Sequence, residues 1–169
     1  MSCFGKENFL ERYYGLASKC KTMKDQISKQ RKYDIAYLRM AQEWAKLSYC
    51  KRRKVGALIV KDRMIVSDGY NGTPSGFENF CEDEEGYTRW YVLHAEANAI
   101  LKMASSTHSS DGGTLYLTLS PCKECSKLAH QSGIKRLVYI QRYKDDSGLK
   151  FLEKAGVELA QISAEELEE

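Results

Sequence analysis

Val55-Gly56-Ala57-Leu58-Ile59-Val60-Lys61-Asp62-Arg63-Met64-Ile65-Val66-Ser67 is the stretch that decides the fold. Its first six residues form an apolar, β-branched run of strand length. Lys61-Asp62-Arg63 is turn material, and Met64 to Ser67 reads as the returning strand of a hairpin. Toward the C-terminus the pattern changes. Gly69, Gly72, Pro74 and Gly76 open a loop that runs to about Tyr91, and beyond it helices and strands alternate. A helix is expected over His94 to Ala104 and a strand over Thr114 to Leu119. The next helix opens at Ser120-Pro121, runs to about Gln131 and is closed by Gly133. A strand over Arg136 to Ile140, a helix over Gly148 to Lys154 and a last strand or tail over Val157 to Ile162 complete the order. Strands separated by helices need crossover connections and run parallel, whereas the opening hairpin is antiparallel. The expectation is an α/β protein, three-layer α/β/α, around a mixed sheet of about five strands.

Toward the N-terminus, Ile35, Leu38, Ala41, Ala45 and Leu47 recur at helical spacing, with Asp34 placed as the N-cap. Residues 1–31 read apart from this, as an N-terminal extension that is basic toward its end (Lys19, Lys21, Lys24, Lys29, Arg31). It is only locally amphipathic, around Phe9-Leu10 and Tyr13-Tyr14. A docking helix, an appended extension and a frayed arm all fit that composition. The domain expected to carry the chemistry is 32–169.

A chain of 169 residues suits one domain with a sizeable core. A net charge of +3 is too small to mark a nucleic-acid footprint. No apolar run approaches the roughly 20 residues that span a bilayer, and Met1 to Leu10 contains no signal-peptide core. The expected location is cytoplasmic. In that reducing setting paired cysteines more often hold metal than form disulfides.

The metal-binding signal is His94-Ala95-Glu96, followed by Pro121-Cys122-Lys123-Glu124-Cys125. His94, Cys122 and Cys125 offer three ligands suited to Zn²⁺, which leaves a fourth position for water, and Glu96 is a carboxylate able to carry that water's proton. Both halves are expected at helix N-termini. There the helix dipoles, and the backbone N–H groups of Cys122 and Cys125, draw electron density from the thiolates. Alone, His-x-Glu on a helix is usually a surface pair, and Cys-x-x-Cys is half a structural zinc site or a redox dithiol. Together they point to a catalytic zinc: the paired signature H-x-E and P-C-x-x-C resembles that of the zinc deaminases.

The likeness extends further. Val55-Gly56-Ala57, Gly69-Tyr70-Asn71-Gly72-Thr73-Pro74-Ser75-Gly76, His94-Ala95-Glu96-Ala97-Asn98-Ala99-Ile100 and Leu119-Ser120-Pro121-Cys122-Lys123-Glu124-Cys125 resemble the deoxycytidylate (dCMP) deaminase family over roughly Tyr33 to Leu159. The Gly-Tyr-Asn-Gly-x-Pro-x-Gly segment separates that family from other deaminases with the same zinc signature. The resemblance implies a cytidine-deaminase-like fold, hydrolysis of dCMP to dUMP and ammonia for thymidylate synthesis, and commonly a homohexamer. It implies regulation as well, with dCTP and Mg²⁺ activating and dTTP inhibiting. It also implies roles: His94, Cys122 and Cys125 as zinc ligands, Glu96 as catalytic proton carrier, and the Ala95 N–H as donor to the pyrimidine 2-carbonyl. Asn71 would meet the sugar or base, and Tyr143 would line the dCMP site. Asn71 also reads as a turn residue beside Gly72, and Tyr143 as an ordinary loop aromatic.

The phosphate has no Walker-type loop to sit in. Lys51-Arg52-Arg53-Lys54 and Arg89 are candidates, and Thr73 and Ser75 are candidates for an anion nest. Some family members carry a second, structural zinc on cysteines placed like Cys50 and Cys81, with two histidines ahead of the His-x-Glu motif. Gly86 to Leu93 contains no histidine, so Cys50 and Cys81 are expected to be buried free thiols. The alternatives are a tRNA, nucleobase or nucleoside deaminase on the same fold and a non-catalytic zinc module.

Overall fold

The computed structural model describes the backbone of residues 9–168 and the side chains of residues 28–168. Helix α1 runs without interruption over Phe9–Lys46. Asp34 is therefore interior and not an N-cap. Its carboxylate accepts a hydrogen bond from Gln30 Nε2 one turn back (3.0 Å), and no proline interrupts the run. By backbone contacts the described chain divides within this helix, between Asp34 and Ile35. The side chains around Phe9-Leu10 and Tyr13-Tyr14 lie outside the described set.

Residues 35–168 form the expected three layers. β1 (Gly56–Lys61) and β2 (Met64–Tyr70) make the hairpin. Lys61 pairs with Met64, which leaves a two-residue loop with Asp62 and Arg63 at φ 50° and 64°, the handedness that matches strand twist. α2 (Ala95–Met103), β3 (Thr114–Leu119), α3 (Lys123–Gln131), β4 (Arg136–Gln141), α4 (Ser147–Lys154), β5 (Glu158–Gln161) and α5 (Ala164–Glu168) follow. The sheet order is β2-β1-β3-β4-β5. β1 is antiparallel to both neighbours, and β3, β4 and β5 are parallel.

Strand periodicity splits the core between the two faces. Ala57, Ile59, Leu115, Leu117, Leu137 and Tyr139 point toward Ala95 and Ala99 of α2, Ala129 of α3 and Leu149 and Leu152 of α4. The alternate residues Leu58, Val60, Tyr116, Val138 and Ile140 pack with Leu38 and Ala41 of α1 and Leu167 of α5. Gly69 lets β2 approach α2 closely: a Cβ there would stand 2.3 Å from the Ala95 carbonyl oxygen and 2.6 Å from the Ala99 nitrogen. Because β1 opposes β2, β3 and β4 in direction, its N-terminal end meets their C-terminal ends at one sheet edge. Asn71, Ser120 and Tyr143 leave the sheet there, the edge where open α/β sheets place ligands.

Candidate active site

His94 is the N-cap of α2 (φ −75°, ψ 156°) and Cys122 the N-cap of α3 (φ −69°, ψ 169°). Both are extended, and neither side chain caps its helix, so imidazole and thiol are free to face each other. α3 begins two residues later than its Ser120-Pro121 signal suggests, because Cys122 keeps an extended conformation. Cys125, one turn into α3, is buried.

His94 Nδ1 lies 3.6 Å from Cys122 Sγ and 3.4 Å from Cys125 Sγ, and all three ligand atoms lie within 4.8 Å of one another. A tetrahedral ion with usual Zn–S and Zn–N lengths would hold nitrogen and sulfur about 3.5 Å apart. The donor set and its spacing therefore fit Zn²⁺, with one position left open. The three groups also make hydrogen bonds with one another. Hydrogen bonds from Cys125 and His94 pull the Cys122 thiol down to about 3. The bond to Cys122, together with burial, pushes Cys125 up. The hydrogen bond to Cys122 also raises His94, against the opposing effect of burial.

Glu96, two residues beyond His94 in the first turn of α2, is 4% exposed. Burial raises its carboxyl to about 7, partly offset by its own backbone amide and by His94. A group poised near neutrality is suited to taking and returning a proton.

His94, Ala95, Glu96 and Cys122 line one cavity of about 420 Å³, together with Asn71 and Tyr143. Ala95 opens α2, so its N–H belongs to the first turn, which a helix leaves without an intrahelical acceptor. Tyr143 is held by its own N–H, which donates to buried Ser120 Oγ (2.8 Å). The Asn71 side chain is partly engaged by the main chain. Its Oδ1 accepts from the Val55 N–H (2.8 Å) and its Nδ2 donates to the Arg53 carbonyl (2.8 Å). One N–H and one lone pair remain for a ligand.

The basic run divides. Arg52 and Arg53 line the cavity, and Lys51 and Lys54 do not. Arg89 points into its own loop and donates to the Glu82 carbonyl (3.1 Å). Thr73 and Ser75 are not on the cavity wall, and Thr73 Oγ1 faces Asn79 Oδ1 at 3.4 Å. Lys144, Glu82 and Thr88 also line the cavity without having been singled out in the sequence. Lys144 was findable as the cation next to Tyr143. Glu82 carries no local signal.

The expectation of free thiols at Cys50 and Cys81 is corrected. The two are joined in a disulfide with Cα atoms 5.0 Å apart across a separation of 31 residues. Spacing along the chain does not reveal this, because the loop after β2 folds back over the segment after α1. Both sulfurs are buried beside Val92.

The chain belongs to the cytidine and deoxycytidylate deaminase zinc-binding family, whose model matches residues 31–141. A solved dCMP deaminase of cyanophage S-TIM5, in complex with dCMP and dUMP, is 47% identical and superposes with a TM-score of 0.74. That match covers 75% of this chain and 94% of the phage chain. The deoxycytidylate deaminase of enterobacteria phage T4 is 35% identical, with 79% of this chain and 89% of the relative covered. That of mycobacterium phage D29 is 39% identical, with 63% and 93% covered.

Proposed function

We propose that the chain is a dCMP deaminase, a hydrolase that converts dCMP and water to dUMP and ammonia. The observation that carries this is one cavity lined by His94 and Cys122 of the His94–Cys122–Cys125 cluster, by buried Glu96 and by the cations Arg52, Arg53 and Lys144. Zinc, when bound by His94, Cys122 and Cys125, supplies a Lewis acid that makes water nucleophilic near neutral pH. Glu96 removes one proton of the attacking water and delivers it to the pyrimidine ring nitrogen, then takes the remaining hydroxyl proton and passes it to the departing amine. The Ala95 N–H holds the 2-carbonyl. Tyr143 closes one side of the sugar, and Asn71 offers its remaining N–H. Arg52, Arg53 and Lys144 recognise the 5′-phosphate, which selects the nucleotide over the nucleoside.

The relatives named deoxycytidylate deaminase, and the S-TIM5 enzyme held with dCMP and dUMP, support this substrate over a tRNA or free nucleobase. The catalytic unit is assigned to 32–169. Exposed Phe77, Phe80, Tyr87 and Trp90 on the loop after β2 suit burial between copies, in keeping with a homo-oligomer, a homohexamer by family resemblance. Activation by dCTP with Mg²⁺ and inhibition by dTTP belong to the same reading. A cytoplasmic location does too, and no helix among the described residues is long and apolar enough to cross a membrane.

The test is ammonia release by the zinc-loaded protein on dCMP, deoxycytidine, CMP and tRNA, with and without dCTP and Mg²⁺. Turnover of dCMP well above the others is expected. Preference for deoxycytidine or tRNA overturns the assignment.

A further inference from the structure

The Cys50–Cys81 disulfide takes no part in the deamination chemistry, yet it stands beside the substrate cavity. Cys50 lies on the segment that joins α1 to β1 and lines the cavity wall. Cys81 lies on the loop that joins β2 to α2. The next residue on that loop, Glu82, turns its carboxylate back onto the first segment. Its Oε1 accepts from the backbone N–H groups of Lys51 (3.0 Å) and Arg52 (3.1 Å). Thr88, bridged to Glu82 across the loop, accepts from Arg52 Nη1 at 3.4 Å. Arg52 is thus held three ways by one loop: through the cross-link two residues before it, through a carboxylate on its own N–H, and through a hydroxyl on its guanidinium.

We propose that the Cys50–Cys81 disulfide and the Glu82 carboxylate form a redox-sensitive positioning device that seats Arg52 on the wall of the substrate cavity. This rests on the reading of that cavity as the dCMP site, with Arg52 facing the phosphate. The Glu82 and Thr88 bonds are exposed to water and weak singly. The covalent link is the element that keeps the two segments together, and it does so by limiting how far they separate. Although both sulfurs are buried, the cavity gives a small dithiol a route to Cys50. The exchange balances: the dithiol is oxidised to its cyclic disulfide, the Cys50–Cys81 bond breaks, and each sulfur leaves as a thiol after transfer of two electrons and two protons in all. Oxidation by a disulfide of the same class reverses it.

The experiment uses the zinc-loaded full chain, as purified under air and after treatment with dithiothreitol. Zinc content and alkylation of each cysteine are measured by mass spectrometry. In the oxidised protein Cys50 and Cys81 should resist alkylation, and zinc should be one per chain. Reduction should raise KM for dCMP about tenfold, the size of one charge-assisted bond to phosphate, with kcat held to within about a factor of two. Competitive inhibition by deoxycytidine, which has no phosphate, should not move. Reoxidation should restore KM. The double variant Cys50→Ser/Cys81→Ser should show the raised KM without reductant and ignore dithiothreitol, and Glu82→Ala should raise KM in the oxidised wild-type background. An unchanged KM on reduction, an equal shift for deoxycytidine, alkylation of Cys50 and Cys81 in the oxidised protein, or a second zinc per chain each overturn the proposal. Failure of the oxidised protein to turn over dCMP is a separate outcome: it removes the dCMP reading, and this device with it.

Discussion

Asn71 Oδ1 accepts a 2.8 Å hydrogen bond from the Val55 N–H, so a side-chain amide does the work of a strand partner just where β1 begins. From the other side of the same residue, the Asn71 carbonyl accepts from Ser48 Oγ (2.7 Å). Asn71 therefore sets the path of residues 48–55, the segment that carries Arg52 and Arg53. Asn71→Ala removes both side-chain bonds and is expected to destabilise the fold by about 2 kcal/mol, with a higher KM for dCMP. Asn71→Asp keeps the acceptor for Val55 but sets a carboxylate against the Arg53 carbonyl, and should be no better. Thermal melts with steady-state kinetics decide; a stable Asn71→Ala with unchanged KM would show that the segment holds itself.

Glu96→Gln keeps the shape of the side chain and removes its proton transfer. Ammonia release from dCMP should fall by about a thousandfold, while bound zinc and the melting temperature of the loaded protein stay near wild type. Appreciable residual turnover would exclude Glu96 as the proton carrier.

The buried Glu96 carboxyl also makes the metal-free protein sensitive to pH. Its value is raised from 4.5 to about 7 by burial. The native state thus binds a proton more tightly than the unfolded chain does. The resulting stability is fully present below about 4.5 and is lost as pH rises through about 7, a change of about 3 kcal/mol. Metal-free wild type should lose stability relative to metal-free Glu96→Gln over that window. Parallel denaturant curves at all pH values would refute the shift.

Gly69→Ala tests how closely β2 approaches α2. The added methyl would meet the Ala95 carbonyl and the Ala99 nitrogen, both backbone atoms. We expect a loss of about 1–3 kcal/mol and weaker zinc retention, since α2 carries His94 at its cap. Chelator competition measures the second effect. Full stability in the variant would mean that the helix shifts without strain.

Lys144→Ala and Arg53→Ala each remove one cation from the cavity wall. KM for dCMP should rise about tenfold per residue with kcat little changed. Raising the ionic strength should weaken dCMP binding more in wild type than in either variant. A fall in kcat at constant KM would place these residues in the chemical step instead.

The local patterns in the sequence carried far. Thr114–Leu119 is a strand with the expected bounds, because a short run of Leu, Tyr and Thr with Leu115, Tyr116 and Leu117 buried on both faces needs no distant information. α5 lies beyond the last element expected, Val157 to Ile162, although its signal is present. Ser163-Ala164-Glu165-Glu166 is a capping box, with the Ser163 N–H donating to Glu166 Oε1 (3.2 Å) and the Glu166 N–H donating to Ser163 Oγ (3.4 Å). Asp34 misled for the opposite reason: a residue fit to cap a helix can sit inside one when nothing before it stops the turn.

By itself the sequence determined the reactive groups. One imidazole, two thiols and a carboxyl stand at spacings that helix and strand geometry turn into a single cluster, because those spacings fall within one helical turn on each side. It also determined the alternation of strands and helices that brings the two halves together. Only the tertiary structure decided which cations line the cavity, with Arg52 and Arg53 on its wall and Lys51, Lys54 and Arg89 off it. It alone showed what Asn71 holds, and that Cys50 and Cys81 are one disulfide across 31 residues. The reason is physical. Periodicity reports the face a residue takes within its own element, but a partner in another segment is chosen by where loops cross, and loops carry no period.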